Sequence, residues 1–438
     1  MHAVLAIARV TLKDALRKKV LFTLVFFTAL LIVSSGFLPS VMPDEQVGQV
    51  VKVCLGGIGF FGMIVAVFLS APNLPDDISS KVIFTVMTKP ARRWQILAGK
   101  ILGVGYVLLI LVGVMGALSF FYIKGVAWKA GPGKSGLPRL EANRLNYAKT
   151  VDYHGQQLAV SEVMVDSKRA IASGIDKITY HFEGLEGERF SGDRVFVQVV
   201  LFSHGLGYDK AAKQGTAAIE VKNPSTNETQ TTVFEGRTLA PAVMDFPKSL
   251  VDRDGKVDVS VMRYLPTGSY STMAGSVAVM SQPSSFGANF AKALAMMFVQ
   301  YMVLVFLATA GSTFLTSTVS NIMALFVYFT GSFVEVLRRQ ALTLGSESDI
   351  FRMAQHTHTA QAVKLEGWHW VANVVLRYFY LGVSVLFPNF DYYDMSSGIS
   401  QNLYISGGSL AFGVAYGVLY AALAFAVACA VFRRKEVA

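Results

Sequence analysis

The sequence predicts an α-helical membrane protein with about six transmembrane helices, and a mainly β domain of sandwich or jelly-roll type outside the membrane between the third and fourth helices. Hydrophobic residues make up 53% of the chain and charged residues only 16%, whereas charged residues are about a quarter of an ordinary soluble protein. Apolar runs of bilayer length lie on both sides of a central region in which valines alternate as they do in strands. We therefore expect a helical membrane part and a β-rich part.

Six apolar runs approach or exceed the length of about 20 residues that a helix needs to cross a bilayer. They cover residues 20–38, 50–71, 96–123, 291–313, 322–337 and 409–432, and the fifth is the shortest. The first run begins too far from the amino terminus for a signal peptide and lacks a cleavage site of small residues. It is expected to remain in the protein as a span.

Short basic clusters flank the predicted spans and define an orientation, because Lys and Arg resist translocation. The first cluster precedes the first span and contains Lys13, Arg17, Lys18 and Lys19. The second lies between the second and third spans, and the third is the terminal run at residues 433–435. This distribution predicts that both termini and residues 74–100 are cytoplasmic and that residues 124–290 are extracytoplasmic. Because the basic residues are dispersed, the net charge of +10 does not indicate nucleic-acid binding.

Residues 368–390 look like part of a seventh span. A full crossing there would move the terminal basic run outside the cell, and the segment carries His369 and Arg377 before it ends at Pro388. We therefore predict an interfacial or re-entrant helix on the outer face. Its Trp and Tyr residues suit the headgroup region.

The region from 124 to 290 has the pattern of an antiparallel β domain. Valines alternate with other residues at 195–199 and again at 257–261, and turn pairs such as Asn223-Pro224 separate these stretches. Both cysteines, Cys54 and Cys429, fall in predicted spans, so the exported domain is expected to fold without disulfides. These features fit the plasma membrane of a prokaryote, the inner one where there are two.

A polar segment at residues 74–100 joins the second and third spans and is the most informative part of the chain. Asp76 and Asp77 stand where acidic side chains favour the start of a helix, an amphipathic pattern continues to Met87, and Pro90 ends it. A second helix is expected to begin at residues 92–94 and to continue into the third span. The pattern predicts a short helix lying flat on the cytoplasmic face.

Residues 77–100 resemble the signature of ABC-2 type transporter permeases. In that family an acidic residue is followed by Gly-Thr, a Ser/Thr-Lys/Arg-Pro turn, an Arg two residues later and a closing Gly-Lys. The matching residues here are Asp77, Thr88-Lys89-Pro90, Arg92 or Arg93, and Gly99-Lys100. Lys81-Val82 stands where the family usually has Gly-Thr. The resemblance extends to the basic helix at residues 7–19 and leaves the β-rich insert outside.

The resemblance implies a transport subunit, not an enzyme, that binds no nucleotide or metal itself. The pattern Gly-x-x-x-x-Gly-Lys-Ser/Thr of a phosphate-binding loop does not occur in the chain, so ATP and Mg²⁺ would be bound by two copies of a separate cytoplasmic ATPase. A second permease copy or a paralogue would complete the complex. The residues implied in ATPase coupling are Asp76, Asp77, Lys81, Lys89, Pro90, Arg92, Arg93, Trp94 and Lys100. The helix that carries Lys13, Arg17, Lys18 and Lys19 would lie along the membrane surface beside them.

Within the spans, Gln300, Tyr301 and Asn321 are the polar candidates for a substrate path. The family resemblance predicts a permease that exports a lipid, glycan or peptide. One alternative is a mechanotransmitter, in which ATP-driven motion acts through the β domain on an extracytoplasmic partner and no cavity is expected. The other is a membrane scaffold unrelated to ABC transporters, whose β sandwich binds a ligand or a protein.

Overall fold

The computed structural model describes residues 2–17, 21–37, 43–72, 75, 92–131, 140–153, 156–159, 177–185, 190, 193–203, 214–237, 241–263, 270–271, 275–343 and 368–434. The chain divides into two compact units. Unit 1 comprises Met1–Val126, Phe290–Ser400 and Ile405–Ala438, and unit 2 comprises Ala127–Asn289 and Gln401–Tyr404.

The helices belong mainly to unit 1. In chain order they are α1 His2–Arg17, α2 Leu21–Phe37, α3 Pro43–Ser70, α4 Arg93–Ala130, α5 Phe286–Ser312, α6 Ser317–Thr343, α7 Trp368–Leu386, α8 Ser396–Ser400 and α9 Gly407–Arg434. A 3₁₀ turn at Phe390–Tyr393 lies between α7 and α8.

Five of the described helices, α3, α4, α5, α6 and α9, are long and apolar enough to cross a membrane. They indicate a polytopic membrane protein. The helix at the first predicted span, α2, has 17 residues, which correspond to about 26 Å against a hydrocarbon core of about 30 Å. The described structure therefore has five helices of spanning length where the sequence predicted six.

The helices of unit 1 present large apolar side chains on their outer surfaces. On α6, Phe326 and Phe333 are 59% and 58% exposed, and on α9, Val418 and Leu423 are 61% and 57% exposed. Contiguous apolar surface of this kind is unfavourable in water. These faces suit contact with lipid chains.

Antiparallel sheets form unit 2, as the alternating valines predicted. The strands are β1 Glu141–Tyr147, β2 Thr150–Tyr153, β3 Gln156–Ala159, β4 Lys177–Phe182, β5 Arg194–Val200, β6 Phe202–Ser203, β7 Gln214–Lys222, β8 Thr229–Arg237, β9 Pro241–Pro247, β10 Val257–Arg263, β11 Tyr270–Ser271 and β12 Val277–Ser285. One sheet has the order β1-β12-β5-β9 and the other the order β3-β2-β4-β10-β7-β8, while β6 and β11 form a short ribbon.

The two larger sheets share one hydrophobic core. The predicted valines at 195–199 of β5 and 257–261 of β10 alternate inward, and they belong to a single buried cluster with residues from both sheets, such as Tyr180 and Phe246. The domain is therefore a two-layer sandwich. Its sheets have four and six strands, and the β2–β3 and β7–β8 hairpins widen the larger one.

A four-residue segment between α8 and α9 belongs to the β unit. The Asn143 backbone N–H in β1 donates to the Asn402 carbonyl at 2.6 Å, and the Tyr404 N–H donates to the Asn143 carbonyl at 2.8 Å. The segment pairs in parallel with β1, which lies at the edge of its sheet.

Candidate functional site

Much of the predicted coupling segment, residues 74–100, lies outside the described residues. The predicted site residues that the structure does not describe are Asp76, Asp77, Lys81, Lys89 and Pro90 in this segment and Lys18 and Lys19 in the basic helix. The short helix predicted for the cytoplasmic face also falls outside the described residues. Its role in coupling stays a prediction.

Arg92 and Trp94 lie at the start of α4 and point outward. Arg92 is exposed, and its backbone N–H donates to the Gln95 side-chain oxygen at 2.9 Å. A capping box consists of two reciprocal hydrogen bonds at a helix start, and this is one of the two. It gives a partner to the Arg92 amide. Trp94 is 46% exposed. Both side chains are accessible beside the predicted coupling segment.

Arg93, the neighbour of these two residues, has a different environment. Its Nη1 donates to the carbonyl oxygens of Phe432 at 2.7 Å and Arg433 at 3.1 Å. Its guanidinium carbon also lies 5.8 Å from the centroid of the Phe432 ring. The last carbonyls of α9 have no partner within the helix and carry partial negative charge, so Arg93 caps this helix end.

The amino-terminal helix α1 packs against the start of α4 through two glycines. A Cβ added at Gly99 would lie 2.7 Å from the Ile7 Cβ, and one added at Gly103 would lie 2.9 Å from the Ala8 carbonyl oxygen. The absence of side chains there allows the two helices to approach closely. The Gly99 of the family signature therefore has a packing function in this fold.

The charged residues near this contact differ in exposure. Lys13 on α1 is exposed and Arg17 is the last residue of that helix, whereas Lys100 on α4 is only 6% exposed. A lysine so deeply buried lies away from the surface that carries Arg92. The role of Lys100 in coupling and the role of Lys13 at the membrane surface both stay predictions.

Three helix ends meet at one end of unit 1. Leu97 near the start of α4, Ala310 near the end of α5, and Ala428 and Phe432 near the end of α9 form one buried cluster. The exposed Arg433 and Arg434 therefore lie at the same end of the unit as Arg92. Described residues of the second and third basic clusters therefore lie at one end of unit 1.

The three predicted substrate-path residues lie in different environments. Tyr301 is fully buried and its hydroxyl donates to the Ile58 carbonyl at 2.8 Å, where it joins α5 to α3. Asn321 lies near the start of α6, and its side-chain oxygen is buried without a hydrogen-bond partner in the described structure. Gln300 lines a cavity. The structure does not bring the three residues together.

The cavity that contains Gln300 has a volume of about 390 Å³ and is partly open. Its walls come from the middle turns of α3, α5 and α6, from the 3₁₀ turn and from the start of α8. Polar groups in the wall are Gln300, Tyr328, Ser332, Asp391, Tyr393, Asp394 and Ser396. The cavity therefore lies halfway along three helices of spanning length.

Hydrogen bonds fix the 3₁₀ turn in place. Asn389, which is 3% exposed, donates from its backbone N–H to the Tyr416 hydroxyl at 2.8 Å and from its side chain to Glu335 at 3.3 Å. The Tyr393 hydroxyl donates to the Gly413 carbonyl at 3.2 Å. The turn is thus bonded to α6 on one side and to α9 on the other.

Close packing against glycine adds to these bonds. A Cβ added at Gly331 in the middle of α6 would lie 2.5 Å from the Pro388 carbonyl oxygen and 2.6 Å from the Phe390 ring. One added at Gly417 of α9 would lie 2.8 Å from the Tyr393 hydroxyl oxygen. The two glycines allow the turn to reach the middle turns of α6 and the interior of α9.

Sequence reasoning missed the acidic residues of the cavity wall. Asp391 and Asp394 lie in the run Phe390-Asp-Tyr-Tyr-Asp, directly after the segment that was predicted to be interfacial or re-entrant. Two acids spaced three apart within an aromatic run are unusual next to an apolar helix. That pattern was a usable signal for this part of the site.

The β unit holds a separate polar group on the outer face of its larger sheet. His181 Nδ1 lies 2.7 Å from the Asp258 carboxylate, which is its cross-strand neighbour on β10. The hydrogen bond that the His181 ring donates to Asp258 raises the pKa of His181, while partial burial opposes this. The negative charges of Asp258, Asp152 and Glu183 raise the pKa further. This pair is a pH-sensitive contact between two strands.

No protein-family model matches this chain, and no curated protein is significantly similar to it in sequence. The family resemblance therefore rests on sequence motifs alone, chiefly the residues of segment 77–100.

Proposed function

We propose that this protein is the permease subunit of an ABC-2 type ATP-driven transporter, and that it exports its substrate. The observation that carries the proposal is the cavity in the middle of α3, α5 and α6, with the non-helical turn Phe390–Tyr393 in its wall. Non-helical backbone at membrane depth is tolerated where it is buried in protein or lines a cavity. Transporters commonly bind substrates near the bilayer midplane, beside interrupted helices.

The cavity also favours transport over the two alternatives. A mechanotransmitter moves no substrate and needs no cavity between its helices. A scaffold that works through its β domain has no use for two acidic residues at membrane depth, because such residues are unfavourable there unless they have a function. The cavity supports transport of a substrate over both.

Charge supports a cytoplasmic location for the end of unit 1 that carries Arg92. Arg433 and Arg434 are exposed there as well, and short basic segments beside spans remain in the cytoplasm. On this orientation the predicted coupling segment faces the compartment that contains ATP. The sandwich would then be extracytoplasmic, where it could guide substrate or bind a partner.

The contacts around α4 support a path for force. An ATPase that moves residues 74–92 would move α3 and α4, which directly flank that segment. Because α1 packs on Gly99 and Gly103 and Arg93 caps α9, these helices would move with α4. The cavity lies between α3 and α6, so its shape would change when α3 moves.

Copurification from gently solubilised membranes tests the proposal, with partners identified by mass spectrometry. We expect a stoichiometric ATPase that carries a phosphate-binding loop, and we expect Asp77→Arg or Arg92→Glu to release it without unfolding the permease. Trp128→Ala is the matched control, because Trp128 is 85% exposed near the other end of α4. Absence of an ATPase from the folded wild-type protein would refute the proposal.

A further inference from the structure

We infer that the cavity in unit 1 binds an organic cation, such as the ammonium group of a membrane-soluble molecule. The inference specifies the substrate class of the site and rests on the proposed transport function. Four features of the described residues carry it: charge, aromatic lining, open volume and depth.

The charge in the cavity wall is negative. Asp391 and Asp394 both line the cavity, and none of the described lining residues is Lys or Arg. Arg339 lies outside the wall, 3.1 Å from Glu335 of its own helix, and its positive charge also acts on Asp391. Asp394 accepts a hydrogen bond from the Ser396 N–H at 2.9 Å, which fixes its side chain at the start of α8. Both acids are exposed at the cavity, so they would attract a bound cation.

Aromatic rings surround these acids. Phe60, Tyr328, Phe329, Phe390 and Tyr393 all contribute to the wall. The faces of such rings attract ammonium and related cations, each by about 0.5 to 2 kcal/mol. Rings combined with carboxylates therefore favour a cation that also has an apolar body.

Open space in the cavity comes from two glycines of α3. A Cβ added at Gly56 or Gly59 would meet no atom within 4 Å, whereas at Gly62, one turn further on, it would clash with the Tyr301 ring. The volume of about 390 Å³ lies within the range of about 300 to 1,000 Å³ for small-molecule sites.

The same features argue against an inorganic ion as the ligand. The described residues contain no group of three or more His, Cys, Asp or Glu that could hold a metal. The walls are largely aromatic and aliphatic, and they lie in the middle of three spans. The aromatic part of the wall would contribute nothing to the coordination of a small hydrated ion.

Equilibrium binding of radiolabelled tetraphenylphosphonium to the full-length protein in lipid nanodiscs tests the inference, with empty nanodiscs subtracted. Tetraphenylmethane has the same shape and no charge, and it serves as the competitor control. We expect saturable binding of the cation that the neutral compound does not displace. The double variant Asp391→Asn with Asp394→Asn should bind about tenfold more weakly, because it keeps the shape of the site and removes its charge.

A second pair of variants tests the location without changing charge. Gly59→Leu would fill the cavity and should abolish binding. Gly113→Leu is the control, because a Cβ at Gly113 also meets no atom within 4 Å but lies on the exposed face of α4. Unchanged affinity in the double Asn variant, or equal loss in both leucine variants, would overturn the inference.

The test separates failure of the inference from failure of the proposed function. Cation binding needs only the purified chain, whereas the transporter proposal is tested by its ATPase partner. Lack of cation binding in a protein that still copurifies with an ATPase would refute the substrate class alone.

Discussion

Two neighbouring arginines, Arg92 and Arg93, should respond differently to the same substitution. Arg93→Gln removes both hydrogen bonds to the last turn of α9, at 2.7 and 3.1 Å, and the cation beside its carbonyls. A buried hydrogen bond to a charged group contributes about 1.5 to 3 kcal/mol. Because Arg93 is only half-buried, we expect a loss of about 1 to 2 kcal/mol for the whole cap. Arg92 makes no such contact through its side chain in the described structure, so Arg92→Gln should leave α9 unchanged.

Cys429 in the last turns of α9 provides the assay. The chain has two cysteines, and Cys54 is fully buried, so Cys54→Ala leaves Cys429 as a single reporter thiol. Cys429 packs against the cluster that contains Leu97 and Phe432. If the helix end opens more often, a thiol-reactive dye should label Cys429 about tenfold faster, which corresponds to about 1.4 kcal/mol.

The labelling rates of the two variants show whether Arg93 stabilises the end of α9. We expect Arg93→Gln to label faster and Arg92→Gln to label at the rate of the parent protein. Equal rates in both variants would show that Arg93 does not stabilise the end of α9. The reasoning about a shared end of α4 and α9 would then be wrong.

Three further predictions concern packing and pH. Gly103→Leu should separate α1 from α4 and speed proteolysis of α1, whereas Gly113→Leu should have no such effect, because only Gly103 lies against another helix. Gly331→Ala should destabilise the full-length protein by about 1 to 3 kcal/mol in thermal unfolding, whereas Gly382→Ala, with open space around it, should be neutral or stabilising. The pKa of His181 is raised in the folded domain. The His181–Asp258 contact therefore contributes fully to stability below about pH 6.5, the pKa of histidine in an unfolded chain. This contribution is lost as the pH rises through the pKa of His181 in the folded domain. Hydrogen exchange of β4, corrected for the intrinsic rate, should therefore quicken at higher pH, and His181→Gln should remove that dependence.

The β domain was predictable where its strands have one buried and one exposed face. Valines at 195–199 and 257–261 alternate because every second side chain enters the core. The turn at Asn223 was predictable for a local reason as well, since its side-chain oxygen accepts from the backbone of Ser225 and Thr226. The strand order depends on pairing between distant segments, so the sequence predicted a sandwich-type domain without the order of its strands.

Contacts between distant residues also explain what was missed in the membrane part. Arg93 and the Phe432 carbonyl meet through tertiary packing, so the sequence pattern placed Arg93 among the residues implied in ATPase coupling and did not predict its contact with α9. The pairing of residues 401–404 with β1 involves too few residues to leave a pattern. The cavity depends on Gly56 and Gly59, which in the sequence resemble ordinary helix-packing positions such as Gly62. In the structure the Tyr301 ring occupies the space beside Gly62, whereas the space beside Gly56 and Gly59 is open.

Photo-crosslinking in native membranes tests the central claim most directly. A photoreactive amino acid placed at Arg92 should crosslink to an ATPase that carries a phosphate-binding loop, and one placed at Trp128, near the opposite end of α4, should not. A crosslink from position 92 alone is the result we predict. No ATPase crosslink from position 92, or equal crosslinks from both positions, would contradict the assignment of this protein as an ATP-driven permease.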